Sequence, residues 1–554
     1  MCKWGIRLLL ISFVMLSLEA KKDVPKLTVI FVVDQLAYNT IQKLMPYLKN
    51  GINFLHKNGV NYTNAFFKHA STATGVGHVC ISTGAQAREH GIVNNKWWEG
   101  DLTVHVEDDR TGNAKILKAD GTGVWEDRIG KSAINIMVDG ISDQLCMHSY
   151  HDLNFNVYSV SLKPRAAICT AGKLGKAIWF DRLKGGFTSS NAYFKELPEW
   201  IVGFNKDKNL FNLEKFKWDL RFKKDAKAYN FPNIDNYKYT RFGKSIIGQE
   251  FEIDKSSKSA YDLFLATPSA DKLLTNLVIK TLEQNLNDSD NEKFVLWVCL
   301  SSLDKIGHSM GPDSLESIDM VYHIDKHIEE IINYIYTKVK SEDVLFALTA
   351  DHGVEPIAEI VKDMGYYPAT RLYSKELLEK FNKELSAKFN IENIIKKFKE
   401  PAFYLDNAKL NALDPKLKKE ILDEIKQLLL NEKDVIARAW TFDELLNSTF
   451  PKNSLESFFK NQLYAGRSGD IFFQFRPYNY IVSYQTGTSH LSPYAYDRQV
   501  PLIIYQKGKF EKKIIHKNVS VLQFPVTLAN ILNVPRPSAS TVGVLPGLLS
   551  KKID

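Results

Sequence analysis

Three stretches of this chain are apolar on consecutive residues rather than on alternate ones: residues 27–33 (LTVIFVV), 294–300 (FVLWVCL) and 344–348 (VLFAL). A strand of that kind is apolar on both faces and must be covered on both, which helices achieve over a parallel sheet. A fourth β-type run, 157–162 (VYSVSL), leads into Lys163-Pro164-Arg165. The three apolar runs lead into the same chemistry: Asp34 directly follows the first, Asp304 comes shortly after the second, and Asp351 shortly after the third. Open α/β sheets bind ligands past the carboxyl ends of their strands, so these carboxylates stand where a site belongs.

The expected fold is therefore α/β, a mostly parallel sheet sandwiched by helices. Helical spacing is read over 269–285 and over 314–336, the latter with Ile318, Val321, Ile324, Ile328, Ile331 and Ile335 on one face. A helical pattern also follows Asp34, through Ile41, Leu44, Met45, Leu48, Ile52 and Leu55. Residues 21–362 and 481–554 are assigned to the core. Residues 363–480, rich in Lys, Glu and Leu, form a smaller α+β insertion or cap. The irregular, aromatic and Lys-rich stretch 197–264 is read as a surface excursion and a substrate rim.

The chain has 554 residues, 44% hydrophobic, enough for a large core. Its net charge of +8 is spread over many lysines. That suits anionic ligands, but there is no concentrated basic face with interleaved aromatics, so nucleic acid is not an expected partner. Residues 1–20 (MCKWGIRLLLISFVMLSLEA) have a basic start, an apolar run too short to span a bilayer, and a small-residue end. They read as a cleaved signal peptide, which implies export to the periplasm or medium without stable membrane insertion. A monomer is expected. Past the leader, Cys80, Cys146, Cys169 and Cys299 match no zinc-finger or CxxC spacing; Cys146 and Cys169 are left as a possible disulfide.

Residues 71–95 (STATGVGHVCISTGAQAREHGIVNN) place Thr72 and Thr74 in a glycine-containing turn before a short helix. A hydroxyl there lies beside free backbone N–H groups, where an anion settles. The same residues also suit a plain helix cap. A nucleophilic role needs an activator from elsewhere, since no base is near in sequence. Asp34, Asp304, His308, Asp351, His352 and His490 supply a candidate. Carboxylate and imidazole without cysteine suit Zn²⁺ or a similar divalent ion in an open site. Six ligands divide between two ions: Asp304, His308 and His490 for one; Asp34, Asp351, His352 and a threonine oxygen for the other.

These residues carry a resemblance. Thr74 precedes Asn95 by 21 residues, with Thr83-Gly84 and His90-Gly91-Ile92 between them. Asp304/His308, Asp351-His352-Gly353 and Gly487/His490 follow in order. The set resembles the alkaline phosphatase superfamily, in particular its branch of phosphatases related to the nucleotide pyrophosphatase/phosphodiesterases. One departure is Gly75-Val76-Gly77, where relatives often carry a proline. The resemblance covers Asp34 to about Pro537.

What the resemblance implies is a phosphomonoesterase with two Zn²⁺ per chain, acting on small phosphate monoesters through a phosphothreonine. It selects Thr74 as nucleophile and metal ligand, leaving Thr72 as a possible cap. Asn95, Lys163 and Arg165 would bind the phosphoryl oxygens. A terminal phosphate has one more anionic oxygen than a diester, and cations aimed at it favour monoesters. A phosphodiesterase or nucleotide pyrophosphatase with the same core is the alternative.

Overall fold

The apolar runs become neighbouring strands of one sheet. The structure is a computed structural model that describes residues 24–548, apart from 149–152, 210–213, 288, 290 and 367. The leader read at residues 1–20 lies outside the described residues. In chain order the core elements are β1 (Leu27–Val33), β2 (Val60–Phe66), α1 (Thr74–Thr83), β3 (Asn154–Ser161), α2 (Pro164–Ala171), β4 (Lys176–Phe180), α3 (Pro268–Asn285), β5 (Glu292–Leu300), α4 (Ser302–Met310), α5 (Leu315–Tyr336), β6 (Val344–Thr349), β7 (Gln499–Gln506) and α6 (Gln523–Ile531).

The ten-stranded sheet runs Lys513–Ile515, β2, β7, β6, β1, β5, β3, β4, Phe187–Thr188, with Val519–Ser520 also pairing β2. From β4 to β6 the strands are parallel. Strand β7 turns antiparallel against both β6 and β2. The expected α/β class, mostly parallel and flanked by helices, is borne out. All seven residues of β1 are buried, as a strand covered on both faces requires. Burial of such Val, Ile and Phe side chains stabilises by about 1.5–3 kcal/mol each.

Register fixes where the site falls. Val33 of β1 pairs with Leu300 of β5, and Val32 pairs with Thr349 of β6. The three central strands thus end level, and Asp34, Asp304 and Asp351 emerge along one edge. Helix α5 starts where expected, with Ser314 capping it through a bond from Ser317 N. The pattern after Asp34 is not one helix: it breaks into Tyr38–Leu44 and Gly51–Asn58, with Pro46 between. Proline there removes a donor and disfavours helix at the preceding residue.

A separate antiparallel sheet runs Ile395–Lys399, Ala402–Leu405, Ile471–Phe475, Ile436–Thr441. With helices Ser374–Phe389 and Pro415–Asn431 it encloses an apolar cluster of its own, including Phe381, Phe403, Ile421 and Phe473. This part grips the segment bearing Thr74. Gln462 accepts from Ser71 N at 2.7 Å and donates to Val93 O at 2.7 Å, and Arg467 donates to Gly91 O at 2.7 Å. The irregular stretch before α3 packs on α5, where Asp319 accepts from Trp218 Nε1 at 2.7 Å, from Arg221 N at 2.8 Å and from the Tyr229 hydroxyl. All four described cysteines are free, so Cys146 and Cys169 form no disulfide. No described helix is long and apolar enough to cross a membrane.

Candidate active site

Thr74 is the first residue of α1, behind an extended Ala73 that makes no side-chain cap bond. Thr72, a candidate cap from sequence, is engaged elsewhere: its Oγ1 accepts from Leu491 N at 3.1 Å. The helix start packs against the end of β6 at van der Waals distance. A Cβ on Gly77 would run into the Asp351 carbonyl and stand 2.8 Å from its carbon, so only glycine allows this approach. Thr74 Oγ1 thereby comes 3.4 Å from His352 Nε2.

Around this hydroxyl the structure brings five of the six Asp/His residues into two groups with ligand atoms mutually within 4.8 Å: Asp34, Asp351 and His352; and Asp304, His352 and His490. The sequence reading gave His352 to one group; in the structure it serves both, stacked on His490 with ring centroids 3.6 Å apart. His308, one helical turn after Asp304 on α4, stands at the edge with Nε2 3.3 Å from Asp304 Oδ1. The remaining ring nitrogens are fixed by backbone carbonyls. His352 Nδ1 pairs with Gly353 O at 2.8 Å, His308 Nδ1 with Thr488 O at 2.9 Å and His490 Nδ1 with Thr72 O at 2.7 Å. Such bonds aim each Nε2 inward, as metal-binding imidazoles require.

The donor set fits cations on two further counts. Asp34 Oδ1 and Asp351 Oδ2 are buried without a well-formed hydrogen bond among the described residues, each only 3.4 Å from His352 Nε2 and Asp351 Oδ2 also 3.2 Å from His78 Nδ1, so both have capacity that a cation could use. Burial depresses the basicity of His352, yet Asp351 and Asp34 outweigh it and hold its pKa at about 9. The local field favours positive charge. At His490, burial and the neighbouring His352 win, and the pKa falls to about 3, leaving a neutral donor.

Lys163, at the end of β3, reaches between the groups: its Nζ lies 2.5 Å from both Asp34 Oδ2 and Asp304 Oδ2. Burial and Asp304 disfavour charge on Asp34, but Lys163 and His352 hold it well below the usual carboxylate range. Arg165, on α2, lines the adjoining cavity with a buried, unpartnered Nε. Asn95 accepts from Gly75 N at 2.7 Å, which leaves its Nδ2 as a donor beside the start of α1.

Sequence reasoning missed Gln35. Its backbone is left-handed, φ 72°, and it donates from N to Asp351 Oδ1 at 3.1 Å and from Nε2 to Asp304 Oδ1 at 3.0 Å. The only signal was Gly307, where any Cβ would overlap the Gln35 amide. His78, on α1, lies with Nδ1 2.9 Å from Thr74 O and 3.2 Å from Asp351 Oδ2.

A mostly parallel sheet with paired Asp/His groups beside a hydroxyl at its ligand edge is the arrangement that the motifs implied. Comparison with known proteins agrees. Residues 28–497 match the type I phosphodiesterase / nucleotide pyrophosphatase family, and the chain belongs to that family. It is 26% identical to alkaline phosphatase PafA of Elizabethkingia meningoseptica over 97% of each chain. It is 26% identical to alkaline phosphatase PhoV of Synechococcus elongatus, covering 95% of this chain and 93% of that protein. The fold matches the crystal structure of wild-type alkaline phosphatase PafA with a TM-score of 0.84 at 23% identity, covering 95% of this chain and 99% of the other.

Proposed function

We propose that this chain is a phosphomonoesterase, an exported alkaline phosphatase that hydrolyses small phosphate monoesters at a site for two Zn²⁺ and forms a phosphothreonine at Thr74. The observation that carries the reading is the position of Thr74 Oγ1, 3.4 Å from the imidazole that the two Asp/His groups share. Asp34, Asp351, His352 and the Thr74 oxygen would hold one ion, and Asp304, His308 and His490 the other. Bound there, two divalent ions supply a lowered pKa for a coordinated hydroxyl and charge neutralisation for a departing oxygen.

The residues of the chain do the rest. Thr74 Oγ1 gives its proton to solvent and attacks phosphorus, the bond from phosphorus to the leaving oxygen breaks, and the departing alkoxide takes a proton from water to leave as the alcohol. Water then attacks the phosphothreonine, releasing phosphate and restoring the Thr74 hydroxyl. Asn95 Nδ2, Lys163 Nζ and Arg165 hold the equatorial oxygens, where charge accumulates. The positive charge of Lys163 and Arg165 matches the extra anionic oxygen of a monoester. The names of the relatives PafA and PhoV support the same choice. Residues 363–480 are proposed as the inserted cap, and residues 1–20 as the export signal.

The family description favours a second reading, a phosphodiesterase with the same core. Turnover of p-nitrophenyl phosphate against its methyl diester separates them: a larger kcat/KM for the diester overturns the monoesterase assignment. Near wild-type turnover by metal-loaded Thr74→Ala would overturn the nucleophile.

A further inference from the structure

Past Asp304 and His308 the site opens into a cavity of about 1030 Å³, far more room than one phosphoryl group needs. Its buried end carries Lys163 and Arg165, and the exposed Arg241 stands at its rim. Five of the eight lysines and arginines on its wall lie within 4 Å of a carboxylate. The other three, Arg165, Lys305 and Arg241, form no ion pair among the described residues. Arg165 is already assigned to the transferred phosphoryl group. Lys305 follows Asp304 on α4 and is half-buried. Arg241 is fastened to the far end of the same helix, its backbone N donating to Ser309 O at 2.8 Å. Two cations thus stand along one helix, both lining the space beyond Asp304 and His308, and neither has a carboxylate within 4 Å among the described residues. Trp179 and Phe242 add apolar wall.

In the proposed reaction Asp34, Asp351 and His352 stand with the attacking Thr74 oxygen, so in-line departure puts the leaving oxygen on the side of Asp304 and His308 and projects the leaving group into this cavity. We propose that Lys305 and Arg241 form a second anion subsite, and that the substrates it selects are phosphomonoesters whose leaving group carries a further phosphoryl group. The subsite rests on the phosphomonoesterase reading for its place in the reaction. Its chemistry is simple: a dianion entering the cavity meets two cations that no carboxylate pairs within 4 Å, although Asp262 and Asp304 share the same wall.

The test uses metal-loaded full chain with butane-1,4-diol monophosphate and bisphosphate at low ionic strength. The subsite gives the bisphosphate a kcat/KM advantage of about tenfold, expressed in KM and shrinking as salt is raised. Lys305→Gln and Arg241→Gln each lower the bisphosphate-to-monophosphate ratio several-fold. Arg241 is not adjacent to any metal-binding residue in sequence, so its variant tests charge without disturbing Asp304. Binding of butane-1,4-bisphosphonate, read by calorimetry, needs no turnover and weakens several-fold in both variants. A ratio and a bisphosphonate affinity that neither substitution changes overturn the subsite. Failure of the wild type to hydrolyse either diol phosphate, with bisphosphonate binding still sensitive to both substitutions, overturns the phosphomonoesterase reading and leaves the anion subsite standing.

Discussion

Gly77→Ala isolates the contact that sets Thr74, the proposed nucleophile, against its partners. In a helix interior this change normally stabilises by about 0.5–1 kcal/mol, because alanine has the better helix propensity. Here the sign reverses. The new Cβ would stand 2.8 Å from the Asp351 carbonyl carbon and 2.9 Å from its Cβ, where carbon atoms prefer 3.5–4.0 Å. Helix α1 or the Asp351 turn must retreat by about 0.5–1 Å, at an overpacking cost of about 1–3 kcal/mol. Thr74 lies one helical turn earlier on the same face, so its Oγ1 moves away from His352 by a similar distance. Misplacement of a reacting group on that scale costs about 10²-fold in rate. Gly75→Ala is the control. Its Cβ would meet Val106 Cγ1 at 3.1 Å and Asn95 Oδ1 at 3.3 Å, contacts that a small side-chain shift relieves. Steady-state p-nitrophenyl phosphate hydrolysis by both variants, with metal content checked by mass spectrometry, reads the difference. Gly77→Ala is expected to lose about two orders of magnitude in kcat, and Gly75→Ala at most about tenfold. Comparable activity of the two variants would refute the idea that the approach of α1 to Asp351 positions the nucleophile.

Removing metal with a chelator should abolish phosphatase activity, and Zn²⁺ should restore it; an enzyme fully active without bound metal excludes the Asp/His groups as cation sites. Gln35→Ala removes a donor from Asp304 and should lower kcat about tenfold at unchanged metal content, as expected when an outer hydrogen-bond partner is lost. Ser314→Ala should cost about 1 kcal/mol of stability in urea without changing KM, since it removes only the cap of α5. Burial raises the Asp271 carboxyl to about 7, so the folded state takes up a proton that the unfolded chain releases near pH 4. That contribution is present in full below the unfolded value and is lost as pH rises through 7. Asp271→Asn should therefore gain thermal stability over wild type as pH is raised from 5 to 8, and a difference independent of pH would contradict the assignment.

The central sheet was legible because β1, β5 and β6 are apolar on both faces, and a carboxylate after each points to the ligand edge. Strand β2 was not: VNYTNAF mixes polar and apolar residues, because it lies toward the sheet margin beside the antiparallel β7. The Asp/His set and Thr74 were readable from residue type and order. Their geometry was not. The sharing of His352 by both groups, the reach of Lys163 between Asp34 and Asp304, and the bond from Leu491 to Thr72 depend on side-chain direction and on loops meeting across the fold. Gln35 escaped notice because its role follows from a left-handed backbone, which periodicity does not encode.

His490 Nδ1 bonds to Thr72 O at 2.7 Å across 418 residues of chain. That closure links the loop before α1 to a loop that follows only after β3 to β6 in the chain. Contacts of such long range form late, because loop closure must be accomplished before they contribute. Thr74 is therefore flanked by His490 only once the strands between them in sequence, β3 to β6, have been made and the chain has closed back on itself. A chain cut before His490 would hold the Asp34 and Asp351 carboxylates yet lack one imidazole of the second group, so completion of the site waits on the loop ahead of β7 rather than on the folding of β1 and β2.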